Sequence, residues 1–286
     1  MTRALAAAAV LSLFSLQARA EPAPEFIREN AIRLEAGSDL PDPLYAQLKG
    51  YRVIAVGETH GTNETPAFVL GLLKLLAKNG RPAFLGLEIG ADEQATVDSY
   101  LKTGKIEVLK NSAFFKREFQ DGRSSRAMGS LLSGVRALRG TKVVCFDISP
   151  ADDWKARDAK MASNLSAAFS KQRKAVAVLL AGNRHTEIVK DGDRRPMVYE
   201  LHAGAGAIFT KDDILAIRQR FQSGSAWVCP SGGGQCAARD PGWRDESGYS
   251  TAVSWPGYFL KEPEISEGHG ATVFSRTSSA SAPLNP

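Results

Sequence analysis

The sequence predicts an α/β protein, with a mainly parallel sheet, helices on both faces of that sheet and a C-terminal extension of strands and loops. Four short apolar runs alternate along the chain with segments of helical periodicity, an order typical of right-handed β-α-β crossovers. The runs are apolar almost throughout, as parallel strands covered on both faces should be. Each run also ends in a polar residue, and the carboxyl ends of parallel strands lie together at one edge of a sheet.

The four runs are the predicted strands, and helices fill the intervals between them. The strands cover residues 51–56, 83–87, 142–146 and 175–180. The helices are expected from Thr65, which could cap a helix with Pro66 in its first position, then over about 92–101, 106–120, 128–138 and 151–173. Two short helical patterns precede the first strand, within residues 21–50.

The periodicity loosens after His185, where Arg195-Pro196-Met197 is still expected to open a helix to about His202. Residues 214–228 alternate as a strand or hairpin would, and 229–250 are rich in glycine and proline, which indicates a long loop. Residues 253–260 are predicted to form an edge strand, where Pro256 would be tolerated. We therefore expect one α/β domain over 21–275, with its core at 50–210, and a disordered tail at 276–286.

The N-terminus reads as a cleavable signal peptide over residues 1–20. Arg3 precedes an apolar stretch at 4–16, and Ala18-Arg19-Ala20 matches a small-residue cleavage site. The apolar stretch is too short to span a bilayer, and no later one is long enough. The new N-terminus would be Glu21 rather than the lipobox cysteine of a lipoprotein. We expect a soluble protein that is periplasmic or secreted.

Composition excludes some classes of partner and suggests a disulfide. The formal net charge is +5, but basic residues are dispersed and no basic stripe carries interleaved aromatics, so nucleic-acid binding is not expected. A flexible glycine-rich loop joins Cys229 to Cys236, which fits a disulfide in an exported protein. A metal pair is the alternative, although no further ligand lies nearby in sequence. Cys145 lies inside an apolar run and is predicted to be a buried free thiol.

Polar side chains at the four strand ends form the candidate site. Glu58 and His60 follow the first strand, Glu88 ends the second, Asp147 ends the third and His185 follows the fourth. The chain has only four histidines, and two of them occur here. Caps and satisfied core polar groups are the alternative interpretation. We favour a catalytic cleft, because open α/β sheets bind their ligands at this edge.

Two forms of chemistry suit these residues. In the first, His60 acts as a general base on water, with Glu58 or Glu88 orienting the imidazole. Arg184 or Arg123 would then stabilise a developing oxyanion. A serine nucleophile is disfavoured because the sequence lacks a Gly-x-Ser-x-Gly elbow.

In the second form, a divalent metal activates the water. His60 and His185 with Glu58 or Glu88 would be an acceptable ligand set for Zn²⁺ or Mn²⁺. The sequence leaves both forms open. Residues 157–158, an Arg-Asp pair on the long helix, could contact such a site or be a solvated pair.

Two Gly-x-x-His motifs carry a resemblance to a known superfamily. Residues 57–64, Gly-Glu-Thr-His-Gly-Thr-Asn-Glu, resemble the first motif of erythromycin esterases and ChaN-like haem-uptake proteins, which share a superfamily with the Tiki/TraB proteases. Residues 182–185, Gly-Asn-Arg-His, followed by Arg-Pro-Met at 195–197, look like the second motif. The resemblance covers about residues 50–210. The chain departs from the superfamily by lacking a lipobox, by being shorter than typical esterases and by its loop between the two C-terminal cysteines.

The resemblance implies roles for several residues. His60 matches the proposed base of the esterases, Glu58 and Glu88 match the companion acids, and His185 matches the second motif's histidine. The protease branch is metal-dependent, whereas the esterases are thought not to need a metal. The expected function is an exported hydrolase of an ester or amide bond in a small molecule or peptide. The alternatives are a non-catalytic haem- or metal-binding protein of ChaN-like type and an inert exported domain.

Overall fold

The fold is described from a computed structural model, which covers residues 22–138, 140–230, 235–242 and 247–285. Residues 1–20, the predicted signal peptide, lie outside these ranges. The strands are β1 (Ile32–Leu34), β2 (Val53–Glu58), β3 (Ala83–Gly90), β4 (Lys142–Asp147), β5 (Val176–Gly182), β6 (Ile214–Gly224), β7 (Ala226–Val228), β8 (Ala237–Arg239), β9 (Gly257–Ser266) and β10 (His269–Ser278). The helices are α1 (Pro24–Asn30), α2 (Asp42–Leu48), α3 (Glu64–Lys78), α4 (Gln94–Thr103), α5 (Ile106–Lys110), α6 (Ala113–Lys116), α7 (Arg126–Ala137), α8 (Arg157–Ser170), α9 (Met197–Ala203) and α10 (Gly248–Thr251).

Eight of these strands form one mixed sheet in the order β1-β9-β10-β6-β2-β5-β3-β4. Every pair from β10 to β4 is parallel, whereas β9 runs antiparallel to both β10 and β1. Strands β7 and β8 form a separate antiparallel ribbon. The predicted α/β class, the mainly parallel sheet and the C-terminal β extension are therefore confirmed.

The sheet buries apolar residues on both faces. Along β2, Ile54 and Val56 pack on one face with the apolar sides of α2, α3, α4, α5 and α7. Val53 and Ala55 point to the other face and pack with α8 and α9. Successive side chains of a strand alternate between faces, so a strand covered on both must be apolar at every position. This requirement explains the continuous apolar runs in the sequence.

The helices differ from the predicted ones mainly at their starts. Helix α3 begins at Glu64, which places Pro66 inside the first turn rather than in its first position. Proline is tolerated there because the first turn's N–H groups have no intrahelical acceptor. The predicted 106–120 helix is two short helices, the second capped by Ser112. The long helix starts only at Arg157, after a 3₁₀ turn over Trp154–Ala156 that Asp153 caps.

The prediction of an edge strand at 253–260 is wrong. Strand β9 spans Gly257–Ser266 and lies between β1 and β10. It is therefore an inner strand along the stretch that pairs with β1. Pro256 precedes the strand. Pro263 lies within β9 but beyond Gly257–Phe259, the stretch that pairs with β1. At that position a missing N–H breaks no pairing with β1, which is why proline is accepted.

The prediction of a disordered tail from residue 276 is also wrong for the described residues, which end at 285. Strand β10 continues to Ser278 beside β6, and Asn63 N donates to Ser279 O over 3.0 Å. Ser281 N donates to Gly61 O over 2.8 Å, and Leu284 N to Ser124 O over 2.9 Å. The serine and alanine composition suggested disorder. The tail is instead held by backbone hydrogen bonds, which the composition of the side chains does not reveal.

The predicted disulfide between Cys229 and Cys236 is present, and Cys145 is a buried free cysteine. Burial raises the pKa of the Cys145 thiol, so this residue is an inert core thiol. Within the described ranges, none of the helices has the length and apolarity needed to cross a membrane.

Replacing both disulfide cysteines by serine should destabilise the protein. Closing so short a loop lowers the entropy of the unfolded state, which stabilises the folded protein by about 2–3 kcal/mol. The free energy of unfolding of the variant, measured by urea titration, should be lower by this amount. Cys145→Ser is the matched control, because it removes a thiol without opening a loop. Mass spectrometry of unreduced protein alkylated in denaturant should find one modified cysteine. Three modified cysteines would contradict the assignment.

Candidate active site

The strand order brings the predicted polar residues to one edge of the sheet. Strand β5 lies between β2 and β3, with Glu58 in register with Gly182, and β4 follows β3. All four strands are parallel, so their carboxyl ends, with the turns that carry the two histidines, meet at this edge. The two Gly-x-x-His turns follow neighbouring strands.

Glu58 orients His60. The Nδ1 atom of His60 lies 2.8 Å from Glu58 Oε1, and because a carboxylate only accepts, Nδ1 is the donor. The Nε2 atom lies 3.7 Å from Glu88 Oε2, beyond hydrogen-bonding distance, and the imidazole is 25% exposed. A Cβ on Gly182 would approach Nε2 to 3.2 Å, so a side chain there would crowd the ring. Among the described residues, Nε2 therefore has no hydrogen-bond partner.

Glu88 is the centre of the site and is only 4% exposed. Its Oε1 atom accepts hydrogen bonds from Arg123 over 3.0 Å and from Arg157 over 2.6 Å. Its Oε2 atom accepts from Gly182 N over 2.7 Å. Both histidines lie against this carboxylate, since His185 Nε2 is 3.8 Å from Oε1. The two imidazoles thus both lie beside Glu88, one near each of its carboxylate oxygens.

The same two arginines bind Asp147. Arg123 Nη1 and Arg157 Nη2 donate to Asp147 Oδ2 over 3.0 and 2.7 Å, and Arg157 Nε donates to Oδ1 over 2.8 Å. On its other side Arg123 donates to Asp121 Oδ2 over 2.7 Å, and Asp121 also pairs with Arg117. Three carboxylates thus surround the Arg123 guanidinium. In this arrangement Arg123 holds carboxylates in place, whereas the sequence suggested a role towards an oxyanion.

His185 is held from both ring nitrogens. Its Nδ1 lies 2.6 Å from Asp158 Oδ1, and its Nε2 lies 3.2 Å from Arg157 Nη1. A guanidinium has no acceptor, so Nε2 accepts and the proton resides on Nδ1. Asp158 also accepts from Met197 N over 2.9 Å, which fixes the start of α9 beside it. His185 therefore has no ring nitrogen free for a substrate.

The remaining predictions about ligands fit this arrangement less well. Arg184 is exposed, and within the described residues its side chain makes no hydrogen bond to the cluster. A metal bound by both histidines would have to displace Arg157 from His185, and Glu88 is already engaged by two guanidinium groups. The part of the chain that the structure describes contains no group of three or more side chains arranged for a metal ion. The metal set of His60, His185, Glu58 and Glu88 does not fit as placed.

The charges around His60 and Glu88 shift the pKa values of both side chains. Burial by itself would lower the pKa of His60, but the charge of Glu88 and the hydrogen bond to Glu58 outweigh it, so the pKa is raised above 6.5. For Glu88, burial would raise the pKa, but the positive charges around it, those of His60 and Arg123 above all, lower it from 4.5 to about 2. Glu88 is therefore ionised at neutral pH, and its charge favours a proton on His60.

We expect Glu58→Gln to lower the pKa of His60. The amide removes a negative charge and accepts a weaker hydrogen bond, while burial, which opposes the charged imidazole, remains. The measurement is an NMR titration of the His60 ring protons in both proteins. The titration should be repeated at two protein concentrations to exclude an effect of self-association on the ring signals. An unchanged midpoint for His60 would show that Glu58 does not set it.

Three residues of this site have a larger part than their sequence positions indicate. The sequence predicts that Arg157 and Asp158 contact the site or form a solvated pair, and in the structure Arg157 touches Glu88, Asp147 and His185. Asp121 was not proposed at all. The position of Arg157 in the sequence could have indicated its role. Helix α8 begins with Arg157 soon after β4 ends, so the first turn of α8 lies at the same edge of the sheet. The glycine turn that carries Arg123 also carries Asp121.

No protein-family model and no curated protein matches the sequence. Among solved structures, the chain is similar to a succinoglycan biosynthesis protein, with a TM-score of 0.67, 11% identity and coverage of 91% of this chain and 97% of the other. It is also similar to a protein from Bacillus cereus, with a TM-score of 0.60, 12% identity and coverage of 92% and 98%. An erythromycin esterase in its open conformation has a TM-score of 0.57, 12% identity and coverage of 85% and 94%. These likenesses confirm the predicted erythromycin esterase-like fold.

Proposed function

We propose that this protein is a hydrolase that cleaves an ester or amide bond with water activated by His60. The observation that carries the proposal is the Glu58–His60 pair, in which Nδ1 is held at 2.8 Å and Nε2 has no hydrogen-bond partner among the described residues. A general base needs both a fixed orientation and an unoccupied basic nitrogen. The fold shared with an erythromycin esterase supports the same reaction class by analogy.

The reaction follows from these positions. Water bound at Nε2 of His60 attacks the carbonyl carbon, and Nε2 takes one proton as the new C–O bond forms. The imidazolium is stabilised by Glu58 at Nδ1 and by the nearby charge of Glu88. When the tetrahedral intermediate collapses, the C–O or C–N bond breaks and Nε2 returns the proton to the leaving group. The products are an acid and an alcohol or amine, and His60 ends neutral.

Direct attack by water is favoured over a covalent intermediate. Within the described residues, Nε2 of His60 has no serine, threonine or cysteine hydrogen-bonded to it. The free thiol of Cys145 is buried in β4 and its pKa is raised, so it is a poor nucleophile.

An isotope experiment tests the reaction and its nucleophile. Purified protein should hydrolyse simple esters, and in ¹⁸O-water with a single turnover of excess enzyme the label should appear in the acid product. A covalent enzyme ester would instead place unlabelled enzyme oxygen in the first acid released. Absence of hydrolysis across esters and amides of varied size would overturn the proposal.

A haem titration separates the hydrolase from the non-catalytic binder. Both ring nitrogens of His185 are engaged, so ligation of haem iron by the two histidines would require Arg157 to leave. We expect no shift of the Soret band on adding the protein to haemin. A shift abolished by His60→Ala or His185→Ala would favour the binding function.

We also propose that the protein acts after export, with residues 1–20 removed. The Cys229–Cys236 disulfide supports this, because structural disulfides persist in oxidising compartments. N-terminal sequencing of protein recovered from a periplasmic or culture fraction should begin at Glu21. Recovery of the full chain in the reducing cytoplasm, with free thiols, would contradict export.

A further inference from the structure

Exposed aromatic side chains flank the candidate active site. Among the described residues, three large apolar side chains are exposed: Trp154 at 66%, Phe119 at 58% and Ile208 at 40%. The first two lie on the segments that bring Arg157 and Arg123 to the site, whereas Ile208 lies on the loop before β6, at the other edge of the sheet. Exposing a large ring to water forgoes the free energy of burying it, and both of these rings lie on segments that contact Glu88 through an arginine, where a ligand could cover them.

Trp154 is joined to the site through Arg157. It opens the 3₁₀ turn Trp154–Ala156, and the guanidinium carbon of Arg157 lies 4.6 Å from the centroid of its ring. The same guanidinium contacts Glu88 at 2.6 Å and His185 at 3.2 Å. The indole is thus one side chain away from Glu88, and this stacking steadies a ring that is otherwise exposed.

Phe119 lies on a segment fixed on both sides. Arg117 and Asp121, which flank it in sequence, are joined by an ion pair of 2.5 Å. The carbonyl oxygen of Gln120 accepts a hydrogen bond from Trp227 Nε1 over 3.1 Å. Asp121 in turn holds Arg123, the other arginine on Glu88. The backbone that carries Phe119 is therefore held in place next to Asp121 and Arg123.

We propose that Trp154 and Phe119 form an aromatic rim of the cleft that binds a planar aromatic ring of the substrate next to the bond that is cleaved. This inference rests on the proposed hydrolase function and names its substrate class. Stacked or edge-on rings gain from both apolar burial and quadrupole complementarity. An alkyl ester would forgo the quadrupole contribution.

The same surroundings favour an uncharged ring. Five carboxylates line the cluster, those of Glu58, Glu88, Asp121, Asp147 and Asp158, against the three guanidinium groups of Arg117, Arg123 and Arg157. Arg123 donates to carboxylates from Nε, Nη1 and Nη2, and Arg157 donates to them from Nε and Nη2 while its Nη1 contacts His185. A substrate carboxylate would therefore meet net negative charge, and the two guanidinium groups on Glu88 are already engaged.

The test compares esters that share a scissile bond. Benzyl acetate carries a ring on the alcohol side, ethyl phenylacetate carries one on the acyl side, and ethyl acetate has none. We expect kcat/KM for at least one ring-bearing ester to exceed that for ethyl acetate by about tenfold. The anionic 4-(acetoxymethyl)benzoate should be a poorer substrate than benzyl acetate. No preference for either ring-bearing ester, or equal rates for the anion, would overturn the proposal.

Variants separate ring binding from a merely structural role. Trp154→Ala and Phe119→Ala should each lower the ratio of ring-bearing to ethyl ester hydrolysis several-fold, whereas Trp154→Phe should largely retain it. Ile208→Ala is the matched control and should leave every rate and ratio unchanged. Equal losses on all three esters in Trp154→Ala would mean that Trp154 only supports Arg157, and would overturn the proposal.

Ring binding can also be measured without hydrolysis. N-benzylacetamide resembles benzyl acetate but carries the intrinsically less reactive amide bond, and its binding is seen by saturation-transfer NMR recorded before turnover. We expect signals with the wild type and Ile208→Ala and weaker signals with Trp154→Ala. Binding without any ester hydrolysis would mean that the hydrolase proposal fails while the aromatic site stands. No binding to the wild type would overturn the aromatic site itself.

Discussion

His60→Ala is expected to lower kcat for ester hydrolysis by about 10²–10⁴-fold, the usual contribution of a general base. Nε2 is the proton acceptor in the proposed reaction, and the other imidazole of the cleft, His185, is occupied at both nitrogens. Glu58→Gln should be nearly as damaging, because it removes the charge that stabilises the imidazolium while keeping the shape. The measurement is the steady-state rate on the preferred ester with each variant.

A loss of activity must be separated from a loss of fold. His60→Ala leaves Glu58 buried without its partner, so His60→Gln is the second variant, since its amide can still donate to that carboxylate. His60→Gln should be as inactive as His60→Ala with wild-type thermal stability. His202→Ala replaces a histidine outside the cluster and should retain full activity. Wild-type rates in either His60 variant would exclude His60 as the base.

Glu88→Gln is expected to destabilise the protein by about 3–5 kcal/mol, the usual cost of removing one partner from a buried ion pair. The amide leaves Arg123 and Arg157 without the charge that both contact, at 3.0 and 2.6 Å. It also places an NH₂ group where one of the carboxylate oxygens accepts a bond. Urea unfolding at pH 7 is the measurement.

The pH dependence of this loss gives a second test. The pKa of Glu88 is lowered from 4.5 to about 2, so its contribution to stability is present above 4.5 and disappears as the pH falls towards 2. The stability difference between wild type and Glu88→Gln should therefore shrink over that range. Glu262→Gln is the matched control, because burial raises the pKa of this carboxyl and its Oε1 accepts from Tyr249 and Thr272, which an amide oxygen can also do. The ion-pair explanation would be contradicted by a stability difference between wild type and Glu88→Gln that stays constant with pH. Equal losses of stability in Glu88→Gln and Glu262→Gln would contradict it as well.

The position of Glu58, His60, Glu88 and His185 could be predicted because it follows from strand periodicity. A run such as Val53–Val56 is apolar at every position only when both faces are covered, and the parallel arrangement then sends every carboxyl end to one edge. A polar residue directly after such a run is therefore placed at the edge without knowledge of the strand order. The disulfide was predictable from local sequence too, since Cys229 and Cys236 are only seven positions apart in a glycine-rich stretch.

The arginine contacts and the C-terminal tail could not be predicted this way. Arg157 and Glu88 lie 69 residues apart, and Asn63 and Ser279 lie 216 apart, so nothing local in the sequence links either pair. The composition of the tail suggested disorder, but free backbone groups at Gly61 and Ser124 hold it against the sheet edge. Composition describes side chains, and these bonds are made by the main chain.

The sequence by itself determined that this protein is a two-faced, mainly parallel sheet with two histidines and their acidic companions at one edge, because strand periodicity is a local property of the chain. Only the tertiary structure decided which histidine is free to act. Glu58 binds Nδ1 of His60 and no described residue hydrogen-bonds to its Nε2, whereas Arg157, from another element, occupies Nε2 of His185. Such contacts depend on the packing of α8 against the sheet, and no spacing within the sequence specifies them.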